Sequence, residues 1–261
     1  MTNPKRNHDY FDLSGKVAVI TGGSRGLGLC MAHAFAEAGA RVIIASRKQD
    51  ACDAAAAEVQ AASGQPCRGV AYHAGSWDDS SRLAAVAYEA FGRVDVLVNN
   101  AGMSPLYDAL TGVSEALYDK VLDVNLRGPF RLSALIGERM AADEGGSIIN
   151  VSSIAAVQPT PNELPYGMAK AGLNAMTLGL ARAYAPKVRV NCIMPGPFLT
   201  DIAKAWDMEA FNKRAETTIP LRRGGEPDEV VGAALYFASS ASSYTTGAIL
   251  KIDGGSAYPA A

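Results

Sequence analysis

The sequence predicts an α/β fold, one doubly wound domain whose parallel sheet is flanked by helices. Two observations carry this: β-branched runs alternate with helical patterns of ten or more residues, and a glycine-rich turn follows the first run. Strands separated by helices of that length form parallel βαβ units. No repeat, linker or low-complexity stretch breaks the alternation across the 261 residues. A chain of this size buries about three-quarters of its unfolded surface.

Lys16–Ile20 is the first strand, and the turn Thr21-Gly22-Gly23-Ser24-Arg25-Gly26-Leu27-Gly28 leads into a helix from Leu27 to Ala38 that stops at Gly39. Arg41–Ala45 reads as a strand and Gln49–Ala62 as an alanine-rich helix closed by Ser63, Gly64 and Pro66. Gly69–His73 is a third strand, Asp78–Phe91 a helix ended by Gly92, and Val94–Val98 a fourth strand. Two helices follow around Ser114–Asp123 and Val124–Ala142, then a strand at Ser147–Val151. Tyr166–Tyr184 is a long helix ended by Pro186, and Val188–Ile193 is the sixth strand. After an irregular, partly helical stretch, Pro227–Ala238 is helical and Ala248–Ile252 is the last strand. Residues 1–12 are polar and read as a loose tail ahead of one domain spanning 13–261.

A net charge of −2 argues against nucleic acid or an anionic membrane as partner. No apolar run approaches the ~20 residues of a membrane span, and Met1–Asp12 shows no hydrophobic leader. A cytoplasmic location is the simplest expectation. The four cysteines and three histidines are dispersed, a pattern of neither metal site nor disulfide framework.

Tyr166 and Lys170 stand four residues apart, with Ser153 thirteen residues before the tyrosine. On a helix this spacing makes the phenol and the ammonium neighbours. A cation beside a phenol favours phenolate and is expected to lower its pKa. A tyrosine so tuned exchanges a proton with an alcohol or carbonyl oxygen. Glycines in a strand-to-helix turn let backbone approach a pyrophosphate, which the helix N-terminus then favours. Together the two patterns read as hydride transfer coupled to proton transfer.

NAD binders place an acidic residue at the end of the second strand, about 20 residues on, to bond the ribose 2′-hydroxyl. Here the strand ends Ala45-Ser46-Arg47-Lys48, with no carboxylate before Asp50, and Arg25 lies in the glycine turn. Guanidiniums beside a serine hydroxyl suit a 2′-phosphate. A solvated helix start is the plainer explanation for Arg47 and Lys48, but cations are unfavourable at a helix N-terminus. NADP(H) is therefore the expected cofactor.

Thr21-Gly22…Gly26…Gly28, Asn99-Asn100-Ala101-Gly102, Asn125, Ser153, Tyr166-x-x-x-Lys170 and Pro195-Gly196…Thr200 occur together in this order. In this set the chain resembles the short-chain dehydrogenase/reductase family over residues 13–256. The resemblance implies a Rossmann sheet of seven strands and commonly a homotetramer, with a homodimer as the smaller assembly. It implies Tyr166 as acid in carbonyl reduction and base in alcohol oxidation, and Ser153 as hydrogen-bond partner of the reacting oxygen. Lys170 would bind the nicotinamide ribose and tune Tyr166, and Asn125 would hold a relay water, unless it is a helix-cap or helix-kink residue.

The implied cofactor contacts are Gly22, Ser24, Arg25, Gly26, Leu27 and Gly28, then Ser46 and Arg47. Asn99, Ala101 and Gly102 would border the adenosine ribose, with Tyr166 and Lys170 beyond them. Pro195, Gly196 and Thr200 would flank the nicotinamide. One departure stands out: many members carry an acid after the third strand, toward the adenine, where this chain reads Ala74-Gly75-Ser76.

Met103–Tyr107, Ile154–Leu164 and Pro197–Pro220 are the expected substrate walls. The last holds Phe198, Trp206, Met208 and Phe211, and reads either as a lid over 197–220 or as helices packed on the fold. Small residues (Ala169, Ala171, Gly172, Ala175, Gly179) suit close packing of another subunit. The expected reaction is NADPH-dependent reduction of a ketone or aldehyde, reversible as alcohol oxidation. Alternatives are 3-oxoacyl thioester reduction, sugar or polyol oxidoreduction and, outside catalysis, a cofactor-binding sensor or scaffold. Arg127, Arg131, Lys213 and Arg214 are the candidate cations for docking an acyl carrier.

Overall fold

Every residue of β1 (Val17–Thr21) is buried, as a central strand of a parallel sheet requires. The computed structural model describes residues 10–201 and 207–257. Seven strands form one parallel sheet in the order β3-β2-β1-β4-β5-β6-β7, with β2 Arg41–Ser46, β3 Cys67–Ala71, β4 Val96–Asn99, β5 Gly146–Val151, β6 Val188–Pro195 and β7 Ile249–Ile252. The helices are α1 Gly26–Glu37, α2 Gln49–Ser63, α3 Trp77–Phe91, α4 Glu115–Leu122, α5 Gly128–Ala142, α6 Leu164–Ala183, α7 Met208–Thr218 and α8 Val231–Ala238.

Strand side chains alternate between faces, and this alternation divides the core in two. Ala18, Ile20, Val42, Ile44, Val96 and Val98 pack with Met31 and Phe35 of α1 and Phe237 of α8. Their neighbours Val19, Ile43 and Leu97 face the other way, onto Leu83 of α3, Leu132 and Ile136 of α5 and Leu180 of α6. Strand order reverses at β1 and β4, so the crevice for a ligand opens beyond the carboxyl ends of these two strands.

Several sequence expectations are corrected. The two helices expected around residues 114–142 run on through a π-helical turn at Asp123–Arg127, whose flanking residues keep right-handed helical backbone. The third strand lies two residues earlier than expected, and the sixth continues to Pro195. Of the expected tail, residues 1–9 lie outside the described residues; the Tyr10 carbonyl accepts a hydrogen bond from Ser240 Oγ (3.2 Å). Within 197–220, Phe198 joins the main core, and Phe211 packs with Ala215, Ile219 and Leu199. In the described part of this segment Phe198 and Phe211 thus pack on the fold, as the second of its two readings has it, while Met208 is exposed and Trp206 lies outside the described residues.

Candidate active site

The glycine turn is held open by its neighbours. Thr21 Oγ1 donates to the Val98 carbonyl (3.2 Å) and accepts the N–H groups of Asn100 (3.0 Å) and Ala101 (3.1 Å). Asn100 Nδ2 donates to the carbonyls of Thr21 (2.9 Å) and Gly22 (3.1 Å). Gly22 and Gly26 have φ of +64° and +54°, a region that favours glycine. A Cβ on Gly28 would lie 2.6 Å from Asn100 Nδ2 and overlap the Gly22 carbonyl. Only backbone fits there.

Helix α1 then begins with no side-chain cap at Arg25 and no acid in its first turn. Its first N–H groups are left without intrahelical partners, and with the helix dipole they favour an anion. Ser24 and Leu27 are half-buried in this turn. Thr200 lies beside Gly26, its Cγ2 3.5 Å from where a Cβ would stand, so the loop after β6 reaches back over the glycine turn. Gly196 donates its N–H to the Ile252 carbonyl (2.9 Å), and a side chain there would meet Asp253 Cα at 2.8 Å. With Pro195 ending β6, this close approach fixes the path of the loop.

At the end of β2, Ser46 is half-buried and Arg47 and Lys48 are exposed, as is Arg25. None of these three cations makes a hydrogen bond or ion pair with its side chain among the described residues. Beyond β3, the Ser76 hydroxyl accepts the Asp79 N–H (3.1 Å) and caps α3. That hydroxyl serves α3, and Gly75 offers backbone alone.

Asn99 and Asn100 separate. Asn99 ends β4 and its side chain turns inward, donating to Ser133 Oγ (2.8 Å) and Asn150 Oδ1 (2.9 Å). Asn150 Nδ2 in turn donates to Thr177 Oγ1 (2.9 Å) on α6. The Asn99 amide therefore ties β4 and β5 to α5, so of the backbone and amide groups expected at a ribose, this residue has only its main chain left to offer. Ala101 and Gly102 continue along the crevice, and a Cβ on Gly102 would lie 2.9 Å from Asn125 Oδ1 and 3.5 Å from Lys170 Nζ.

Asn125 sits in the π turn with no exposed surface. Its Nδ2 donates to the carbonyls of Met103 (2.8 Å) and Val121 (2.9 Å), and its Oδ1 accepts the Met103 N–H (3.2 Å). Wide turns of this kind gather at functional sites; this one lets a helix interior residue clasp the loop after β4.

Ser153 follows β5 and starts a short 3-10 turn, its hydroxyl accepting the Ala155 N–H (3.1 Å). Tyr166 and Lys170 lie one turn apart in α6, Lys170 Nζ 5.6 Å from the Tyr166 ring centre. Lys170 is buried and donates to the Val151 carbonyl (2.8 Å). Ser152 is structural, its hydroxyl donating to the Lys170 carbonyl (3.2 Å).

The expected lowering of the Tyr166 pKa is not what the site shows. Burial pushes the phenol up to about 12, a hydrogen bond with Ser153 draws it part of the way back, and the Glu163 carboxylate raises it further. Lys170 is itself pulled down to about 8 by burial. A poorly solvated pocket penalises phenolate and ammonium alike, and here that penalty is the largest influence on each group. At neutral pH the tyrosine is a protonated donor.

Sequence reasoning passed over Thr21 and Asn100 as clasps, although both lie within the quoted motifs. Tyr107 and Glu163 it placed only within two of the expected substrate walls, with no role of their own. Tyr107 OH donates to the Pro161 carbonyl (2.8 Å) and accepts the Leu164 N–H (2.8 Å), fastening the loop after β4 to the start of α6. A cavity of about 480 Å³ lies away from these groups, between α4, α5 and α6, with Phe130 and Met176 on its walls.

A family model described as Enoyl-(Acyl carrier protein) reductase matches residues 22–257. The human Dehydrogenase/reductase SDR family member 4 is 36% identical over 245 residues, 93% of this chain and 88% of that protein. A short-chain type dehydrogenase/reductase from Mycobacterium marinum superposes with a TM-score of 0.89 at 33% identity, covering 96% of this chain and 99% of that one. The 3-oxoacyl (acyl-carrier-protein) reductase from Agrobacterium tumefaciens C58, solved with NADP bound, gives 0.90 at 30% identity, over 95% and 97%.

Proposed function

Because the chain belongs to the short-chain dehydrogenase/reductase family of oxidoreductases, we propose that it reduces a ketone or aldehyde to an alcohol, reversibly, with NADP(H). The observation that carries this reading is the convergence of Ser153, Tyr166 and Lys170 on one crevice that opens onto the glycine turn.

Gly22, Gly26 and Gly28 form a cradle that any Cβ would fill, and the uncapped start of α1 supplies N–H groups for a pyrophosphate. Arg25, Ser46 and Arg47 would hold a 2′-phosphate, and the lack of side-chain hydrogen bonds or ion pairs at Arg25 and Arg47 among the described residues supports NADP(H) over NAD(H). The NADP-bound state of the Agrobacterium relative is in keeping with this choice. Backbone at Asn99, Ala101 and Gly102, with Lys170, would hold the ribose groups; Pro195, Gly196 and Thr200 would flank the nicotinamide, which supplies the hydride when bound.

The chain's own part is proton chemistry. Ser153 donates a hydrogen bond to the carbonyl oxygen, and Tyr166 donates its proton as negative charge develops there. Lys170, largely protonated at neutral pH, steadies the phenolate left behind. Asn125 keeps Met103 and the loop beyond it in place, a positioning role. Enoyl reduction is disfavoured because the three-residue gap between Tyr166 and Lys170 matches carbonyl reductases. Reduction of a ketone with NADPH deuterated at the nicotinamide C4 is expected to leave deuterium on the carbinol carbon. Product formed without label would overturn the hydride assignment.

We also propose a homotetramer or homodimer. Ala169 and Gly172 face inward, the latter against Leu126. Met168, Ala171, Ala175, Leu178 and Gly179, however, form an exposed stripe along α6 beside the large groove. A Cβ on Gly179 meets nothing within 4 Å. Gly179→Arg is therefore expected to keep folding stability within about 1 kcal/mol while sedimentation shows a smaller species. An unchanged sedimentation coefficient would place the contact elsewhere.

A further inference from the structure

We propose that Glu163 determines substrate specificity, its carboxylate selecting ketones that carry a protonated amine a few atoms from the carbonyl over neutral and anionic ones. This rests on the carbonyl-reductase reading above.

Glu163 stands at the N-cap position of α6, one turn before Tyr166, so its carboxylate and the phenol share a face. Its plain explanation is a carboxylate placed for the helix dipole. Yet its side chain makes no capping hydrogen bond, and of the two positions an N-cap serves, the first is Pro165, which has no N–H to offer. Among the described residues it has no cationic partner; its side-chain hydrogen bond comes from Ser104 Oγ (3.3 Å). The carboxylate is thus held in place without being neutralised.

Its surroundings narrow the ligand. Glu163 and Tyr166 border one shallow surface dimple with Pro105, Tyr107, Leu117, Val121 and Pro165, too shallow to enclose a ligand, so a substrate would lie against its mouth. These walls are mostly apolar, which suits an aliphatic or cyclic frame better than a polyhydroxylated one. A negative charge among them repels carboxylates and phosphates and attracts an alkylammonium. Its charge also makes phenolate formation at Tyr166 harder, and a bound cation would relieve that cost.

The test compares 1-methylpiperidin-4-one, protonated at neutral pH, with its neutral counterpart 4-methylcyclohexanone and the anion 4-oxocyclohexanecarboxylate. Wild type is expected to prefer the cation, and Glu163→Gln to lower the cation-to-neutral ratio of kcat/KM about tenfold, with Glu163→Asp retaining part of it. Equal ratios in wild type and Glu163→Gln, with ketones still reduced, would overturn the proposal and leave the carbonyl-reductase reading standing. Reduction of no ketone at all would overturn both. Should Glu163→Gln fail to fold, wild type decides: N-methylpiperidinium is expected to compete with 4-methylcyclohexanone at least tenfold more tightly than cyclohexanecarboxylate, and equal inhibition would reject the proposal.

Discussion

Tyr166→Phe is expected to lower kcat/KM for ketone reduction about 10³-fold while NADPH binding changes by less than about threefold. The phenol is the site's proton donor: burial and Glu163 raise its pKa to about 12, so at neutral pH it carries the proton that reduction of a carbonyl consumes. The variant removes one oxygen and keeps the ring, which leaves α6 and the Lys170 bond to Val151 intact. Ser153 remains to polarise the carbonyl and explains why some turnover survives. Parallel loss of NADPH binding and turnover would make Tyr166 a cofactor contact alone. Stopped turnover with intact binding identifies it as the acid.

Arg47→Asp is expected to swing the NADPH-to-NADH ratio of kcat/KM by about 100-fold or more. A charged hydrogen bond to the 2′-phosphate contributes about 1.5–3 kcal/mol, and the new carboxylate adds repulsion toward a phosphate while suiting a free ribose hydroxyl. Arg47 is exposed and its side chain makes no hydrogen bond or ion pair among the described residues, so folding should be unaffected. Kinetics with both cofactors measure the swing. A ratio unmoved by Arg47→Asp would assign phosphate recognition to other residues or remove it altogether.

Much of this was legible in the sequence because it depends on local spacing. The glycine turn, the run of alternating elements and the Ser153, Tyr166 and Lys170 spacing are each written within a few residues of the structure they specify. What was not legible depends on contacts between distant segments. The neighbouring asparagines 99 and 100 look equivalent, yet the last residue of a strand and the first beyond it point to opposite sides; one amide goes to Ser133 and Asn150, the other to the glycine turn. The π turn at Asp123–Arg127 leaves no mark in composition, since a helix that widens keeps its apolar pattern. The Tyr166 and Lys170 pKa values follow from how deeply both are buried, which spacing does not report. Whether Phe198 and Phe211 face a ligand or the fold is open in the sequence, because it depends on the packing against them.

The most direct measurement follows nicotinamide absorbance with NADPH, then NADH, across ketones, aldehydes, sugars and 3-oxoacyl thioesters. NADPH consumed in step with alcohol formation, and NADH consumed far more slowly, is the expected result. Saturable NADPH binding with no consumption over the whole panel would contradict the assignment of this crevice as a carbonyl-reducing site.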